Sequence, residues 1–156
     1  MRESQIAPVL IVDDEPEVLE SLELMLNAGG YDRIITCSDS RDLLSLLDHN
    51  PDIRFVLLDL IMPYVSGQDL LQALREKYPD LPIIVITALD DLQTAVECMK
   101  KGAFDYLVKP VEKMRLLSTL RHALDRVEMA RENQALKDKL LNENLTHPDI
   151  FEPIVT

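Results

Sequence analysis

The sequence predicts an α/β fold: a doubly wound, five-stranded parallel sheet carrying an extended C-terminal helix. Three observations lead there. Five short apolar runs recur along the 156 residues, helix-period stretches fill the gaps between them, and the last stretch runs longer than a helix that only packs on its own sheet. Most of the runs are continuous Val, Ile, Leu or Phe, the pattern of strands buried on both faces.

The first run is Val9–Val12. Glu15–Asn27 follows with Val18, Leu22, Met25 and Leu26 on one face and Pro16 in the first turn, where its missing N–H costs nothing. Gly29-Gly30 supplies the C-terminal stop. The second run is Arg33–Cys37, and Ser40 stands where it would cap a helix over Asp42–Asp48. After the third run, Ile53–Leu58, a stripe of Leu70, Leu71 and Leu74 precedes Tyr78-Pro79. The fourth run, Ile83–Ile86, is followed by a stripe of Leu92, Ala95, Val96 and Met99 closed by Gly102, and the fifth is Tyr106–Val108. Cys98 and Met99 read as packing residues.

From Val111 a helical pattern continues to about Leu141 without Gly or Pro. Leu117, Leu120, Leu124 and Val127 form the stripe expected to face the sheet. A second series, Thr119, His122, Arg126, Met129, Asn133, Leu136, Leu140 and Glu143, alternates steps of three and four. Its first half is polar and its second half apolar apart from Asn133, as in a helix that leaves its domain and meets a partner helix, and Asn133 favours two strands in register. The expected organisation is a domain over 1–127, a linker helix forming a coiled coil over 128–145, and a tail over 146–156 containing Pro148 and Pro153.

With 16 Lys and Arg against 28 Asp and Glu the net charge is −12. Most of the excess acid lies before residue 111. Such a chain lacks the clustered cations that nucleic-acid binding needs. The aliphatic runs fall far below the roughly 18 residues of a membrane span, and no charged-then-apolar leader opens the chain. Two cysteines, Cys37 and Cys98, lack metal-ligand spacing and are too few for a disulfide framework, so a reducing cytoplasm is the expected compartment. His49, His122 and His147 are scattered and support neither a metal site nor a phosphohistidine.

Open parallel sheets bind ligands at the carboxyl ends of their strands, near the point where the strand order reverses. The residues there are Asp13-Asp14, Asp59, Thr87 and Lys109. Three close carboxylates repel one another and drive one toward protonation unless a cation intervenes; an all-oxygen, half-open site suits Mg²⁺. A carboxylate can also attack phosphorus. The three equatorial oxygens of a transferring phosphoryl group would then be held by the metal, the Lys109 ammonium and the Thr87 hydroxyl. Taken singly, each residue has a plainer reading: Asp59 as a turn former, Thr87 as an ordinary strand residue, Tyr106 as a rim aromatic.

Val9-Leu-Ile-Val-Asp-Asp14, Val56-Leu-Leu-Asp-Leu-Ile-Met-Pro63 followed by Gly67, Ile84-Val-Ile-Thr-Ala88 and Gly102-Ala-Phe-Asp-Tyr-Leu-Val-Lys-Pro110 together resemble the receiver domain of bacterial two-component response regulators, over about residues 7–127. The resemblance implies a flavodoxin-like fold in which Asp59 accepts a phosphoryl group from a sensor histidine kinase. It implies Mg²⁺ bound by Asp14, Asp59 and the main-chain carbonyl of Ile61, with Asp13 acting mainly through a metal-bound water. Lys109 would hold a phosphoryl oxygen, the Lys109-Pro110 bond would be cis, and Thr87 and Tyr106 would form a switch pair in which the ring turns inward behind the moving hydroxyl. The expected role is a switch that controls a homodimer paired through the 112–143 helix, binds neither nucleic acid nor membrane itself, and turns over no external substrate. The approach to Thr156 is similar to the approach to the AAA+ domain in nitrogen-regulation-type (NtrC-like) activators, so an output domain for transcription activation is expected beyond it.

Two other classes share part of this residue set. Haloacid-dehalogenase-type phosphatases need an acid/base Asp two residues after the nucleophile, where Ile61 stands and cannot move a proton. A stand-alone or vestigial receiver acting as an adaptor is the alternative, and the complete set of site residues counts against it.

Overall fold

The computed structural model describes residues 8–146, with side chains through Asn142. Residues 147–156, including His147 and nearly all of the expected tail, lie outside the described residues, as does the Glu143 side chain. The elements are β1 (Val9–Val12), α1 (Pro16–Ala28), β2 (Ile34–Cys37), a 3₁₀ turn (Ser40–Asp42), α2 (Leu43–His49), β3 (Phe55–Leu58), α3 (Gly67–Lys77), β4 (Ile83–Thr87), α4 (Leu92–Lys100), β5 (Asp105–Val108) and α5 (Lys113–Thr146). All strand pairs are parallel, in the order β2-β1-β3-β4-β5.

The winding follows from right-handed crossovers. The chain moves one way from β1 to β2 and the opposite way thereafter, which puts α1 on one face and α2, α3 and α4 on the other. One core joins Leu10, Val12, Val56, Leu58, Ile83 and Val85 to Leu43, Leu47, Leu70, Leu71, Leu74 and Cys98. The opposite core joins Val9, Ile11, Phe55, Leu57, Ile84 and Ile86 to Leu22 and Leu26 of α1 and to Leu116, Leu120, Ala123 and Leu124 of α5. β1, β3 and β4 are buried throughout, as their unbroken apolar runs require, whereas β2 and β5 are edge strands and partly open.

Three expectations need correction. Ser40 does not cap α2. Asp39 caps the 3₁₀ turn by accepting the Arg41 N–H, α2 starts at Leu43 without a side-chain cap, and the Ser40 hydroxyl donates to the Pro63 carbonyl instead. On α4 the apolar stripe faces outward: Leu92 is 80% exposed and Val96 and Met99 are exposed, while Cys98 is the residue that packs inside. On α5 the inward face is rotated by about one residue. Leu116 and Ala123 are fully buried, Leu117 and Val127 only half-buried, and Thr119, expected on a partner-facing seam, is buried in the domain.

α5 is a single helix that outruns the sheet. From Glu128 to Asn142 its side chains are exposed. Among the described residues no helix is long and apolar enough to cross a membrane.

Candidate functional site

The register of the central strands builds the site. Val12 of β1 pairs with Leu58 of β3, so the next residues, Asp13 and Asp59, emerge side by side. Thr87 ends β4 opposite Val108 of β5, which sets Lys109 beside it. These residues follow strands with no freedom to shift, because a one-residue slip would turn every side chain to the wrong core. Gly67 closes the back of the site. A Cβ there would lie 2.3 Å from the Leu60 Cα, so only glycine lets the first turn of α3 abut the chain leaving Asp59.

Oxygens of Asp13, Asp14 and Asp59 lie within 4.8 Å of one another. Asp13 and Asp59 are buried and Asp14 is half-buried. The Lys109 ammonium lies 2.7 Å from Asp13 Oδ2, 3.4 Å from Asp59 Oδ2 and 3.4 Å from Glu15 Oε1. Burial pushes the Asp13 carboxyl above its ordinary range, against the Lys109 hydrogen bond and the Glu15 N–H, and the charge of Asp59 adds to the rise. Burial opposes the charge on Lys109, but its bond to Asp13 and the nearby Asp59 outweigh it and hold the ammonium protonated above the usual lysine range. The repulsion expected among the carboxylates is therefore felt at Asp13. The Ile61 N–H donates to Asp59 Oδ1 at 3.3 Å, and the Lys109-Pro110 bond is cis.

Thr87 and Tyr106 meet on one residue. Thr87 Oγ1 accepts the Leu89 N–H at 3.4 Å, and the Tyr106 hydroxyl donates to the Leu89 carbonyl at 2.7 Å. The Tyr106 ring is half-buried against the α2–α4 side of the core. Burial, reinforced by the nearby Cys98, Asp91 and Asp90, raises its phenol above the ordinary range.

All the site residues named from the sequence thus share one edge, Asp13, Asp14, Asp59, Ile61, Thr87 and Lys109 at its centre and Tyr106 behind Leu89. Two features had gone unread. Glu15 adds a fourth carboxylate near Lys109, signalled only by its place after Asp14. The β3–α3 loop is strapped down: Ser40 Oγ donates to the Pro63 carbonyl and accepts the Val65 N–H, and the Arg41 guanidinium lies 3.7 Å over the Tyr64 ring while Asp39 grips it through two oxygens.

A family model described as the response regulator receiver domain matches residues 9–121. The chain belongs to the response regulator receiver domain family. This receiver is 34% identical over 140 residues to the C4-dicarboxylate transport transcriptional regulatory protein DctD of Pseudomonas aeruginosa, covering 89% of this chain and 30% of that protein. It is 36% identical over 135 residues to the response regulator protein PilR of the same organism, covering 86% of this chain and 30% of PilR. Among solved structures it is similar to a receiver domain protein of Clostridium thermocellum, with a TM-score of 0.75, 32% identity and coverage of 80% of this chain and 99% of that one. NtrX of Brucella abortus superposes with a TM-score of 0.76 at 28% identity, over 84% of this chain and 30% of NtrX. The receiver therefore spans about a third of the length of these larger regulators.

Proposed function

We propose that this receiver takes a phosphoryl group onto Asp59 from the phosphohistidine of a sensor histidine kinase, and that the rearrangement controls pairing of α5 with a second copy and, through it, an output domain for transcription activation. The observation that carries the reading is the placement of the buried Asp59 carboxylate, with the Lys109 ammonium 3.4 Å from its Oδ2 and the carboxylates of Asp13 and Asp14 beside it. In the transfer an Asp59 oxygen forms the new bond to phosphorus as the P–N bond to the kinase imidazole breaks. The electron pair stays on the imidazole nitrogen, which then takes a proton.

The three carboxylates fit a small divalent cation, since all the donors are oxygen and their mutual repulsion at Asp13 is relieved by a positive charge. Mg²⁺ would be held by Asp14, Asp59 and the Ile61 carbonyl, with Asp13 reaching it through water, and when bound it supplies positive charge to the phosphoryl oxygens. Lys109 is placed to hold a second phosphoryl oxygen. Thr87 donates to a third once its hydroxyl turns from Leu89. Because Thr87 and Tyr106 bond opposite ends of the same Leu89 residue, that turn loosens the loop that anchors the tyrosine hydroxyl. A local hydrogen-bond change thus biases a larger element, as in other charge-triggered switches. The chain catalyses its own modification and turns over no external substrate, and a cytoplasmic kinase domain is its partner.

Acetyl phosphate with Mg²⁺ is the direct test. It should add one hydroxylamine-labile phosphoryl group to the chain and none to Asp59→Asn. Equal labelling of both by mass spectrometry would remove Asp59 as the acceptor.

A further inference from the structure

Among the described residues the buried polar side chains are Asp13, Asp59, Thr87, Thr119 and Ser40. The first three belong to the site, and the Thr119 hydroxyl donates to Asp105 Oδ2 at 3.3 Å. Ser40 remains. It is 3% exposed in the 3₁₀ turn after β2, and its hydroxyl reaches a distant part of the chain. It donates to the Pro63 carbonyl at 2.9 Å and accepts the Val65 N–H at 3.4 Å. Those two groups also bond each other at 3.0 Å, closing a three-residue turn with Tyr64, φ 78°, at its centre. A turn closed two residues apart around a positive φ is the rare, strained form of the γ-turn. The Ser40 hydroxyl therefore bridges both ends of a turn that the backbone alone holds poorly. The Arg41 guanidinium covers the Tyr64 ring but spends its hydrogen bonds on Asp39.

Pro63 lies four residues past Asp59. Between them the Ile61 N–H donates to Asp59 Oδ1 at 3.3 Å, and the Leu60 carbonyl accepts the Gly67 N–H at 3.1 Å. Ile61 is thus held on one side by the end of β3 and on the other by the turn, with Met62 alone between. The segment that carries Ser40 is itself anchored. The Cys37 carbonyl accepts the Asp13 N–H at 3.0 Å, and the Cys37 thiol donates to the Asp39 carbonyl at 3.1 Å. One short stretch, Cys37–Ser40, braces the chain at Asp13 and the chain beyond Asp59.

We infer that Ser40 is a positioning residue for the metal site: its hydroxyl clips the turn at Pro63–Val65 and so holds in place the stretch that carries the Ile61 carbonyl. The inference rests on the Mg²⁺ reading above and adds a residue that does not touch the metal. One carbonyl would satisfy a buried hydroxyl. The second bond, to the far end of the same turn, makes Ser40 a clip. Without it the turn relaxes and the Ile61 carbonyl is no longer set in advance. Losing a group that orients a metal ligand weakens binding about tenfold or more.

Isothermal titration of the full chain with Mg²⁺ tests this. Ser40→Ala should raise the dissociation constant about tenfold. Gly102→Ala, in the turn between α4 and β5, should lower the thermal midpoint and leave the constant at its wild-type value. Unchanged affinity in Ser40→Ala overturns the inference. So does equal weakening in both variants, because loss of stability alone would then explain it. Amide exchange on the wild-type chain is a second reading that needs no variant: the Val65 N–H should be protected before any Mg²⁺ is added. Protection that arises only with Mg²⁺ also overturns the clip. A wild-type chain that binds no Mg²⁺ sinks the metal reading itself, whereas a wild type that binds beside a Ser40→Ala that binds equally well sinks this inference alone.

Discussion

Tyr64 holds a left-handed backbone, φ 78°, in the loop that leaves Asp59. For a bulky residue that conformation costs about 1–2 kcal/mol, and glycine would adopt it freely. What offsets the strain is visible: the Arg41 guanidinium covers the ring, and hydrogen bonds from that guanidinium, followed by the Arg41 N–H, hold the Asp39 carboxyl down to about 2. The two effects are therefore coupled. Arg41→Ala should lower the thermal midpoint of the wild-type chain by more than that of Tyr64→Gly, where only the bonds to Asp39 are lost, a double-mutant cycle that calorimetry can close. None of this was legible in the sequence. A Gly or Asn at position 64 would have announced the turn, but a tyrosine announces nothing, and Ser40 looked like a helix cap because its bond to the distant Pro63 carbonyl depends on the folded chain.

At the scale of elements, Arg75 ties α3 to two turns, donating to the carbonyls of Tyr78, Pro79 and Gly102. Gly102 has φ +103°, and a Cβ on it would lie 2.6 Å from the Arg75 Nε. Gly102→Ala should thus cost at least about 2 kcal/mol, adding backbone strain to a displaced guanidinium, seen as a midpoint several degrees lower. The ends of α2 and α3 are joined by the Tyr78 hydroxyl donating to the Asp48 carboxylate, with Lys77 on its other oxygen. That bond pushes the Tyr78 phenol up to about 12. A raised acid contributes its stabilisation below its unfolded pKa and loses it on ionising, so this link should hold to about pH 10 and fade toward about 12. In ultraviolet titration Tyr78 should ionise near pH 12, and Asp48→Ala should return it toward the ordinary tyrosine value. The helices also show where patterning stops being informative. An apolar stripe marks α4 as a helix, but only the packed sheet reveals that Cys98 is covered and that Leu92, Val96 and Met99 are not.

For the molecule as a whole, topology was the most legible property, because unbroken apolar runs and right-handed crossovers leave few arrangements for five strands. The positions of Asp13, Asp59, Thr87 and Lys109 followed from topology alone; that Lys109 lies nearer Asp13 than Asp59 did not, since it depends on side-chain geometry. A ligand that binds only the folded chain stabilises it by mass action, by about 2.7 kcal/mol at a hundred times its dissociation constant. Mg²⁺ should accordingly raise the wild-type thermal midpoint in a concentration-dependent way, and Asp14→Asn should largely abolish the increment. Asp13, Asp59 and Thr87 stand at the tips of the three strands that are fully enclosed, while Ile61 and Leu89, which touch them, belong to surface loops. A substitution in either loop can therefore change what surrounds Asp59 and Thr87 from outside, one residue at a time, and leave the interior that aims them intact.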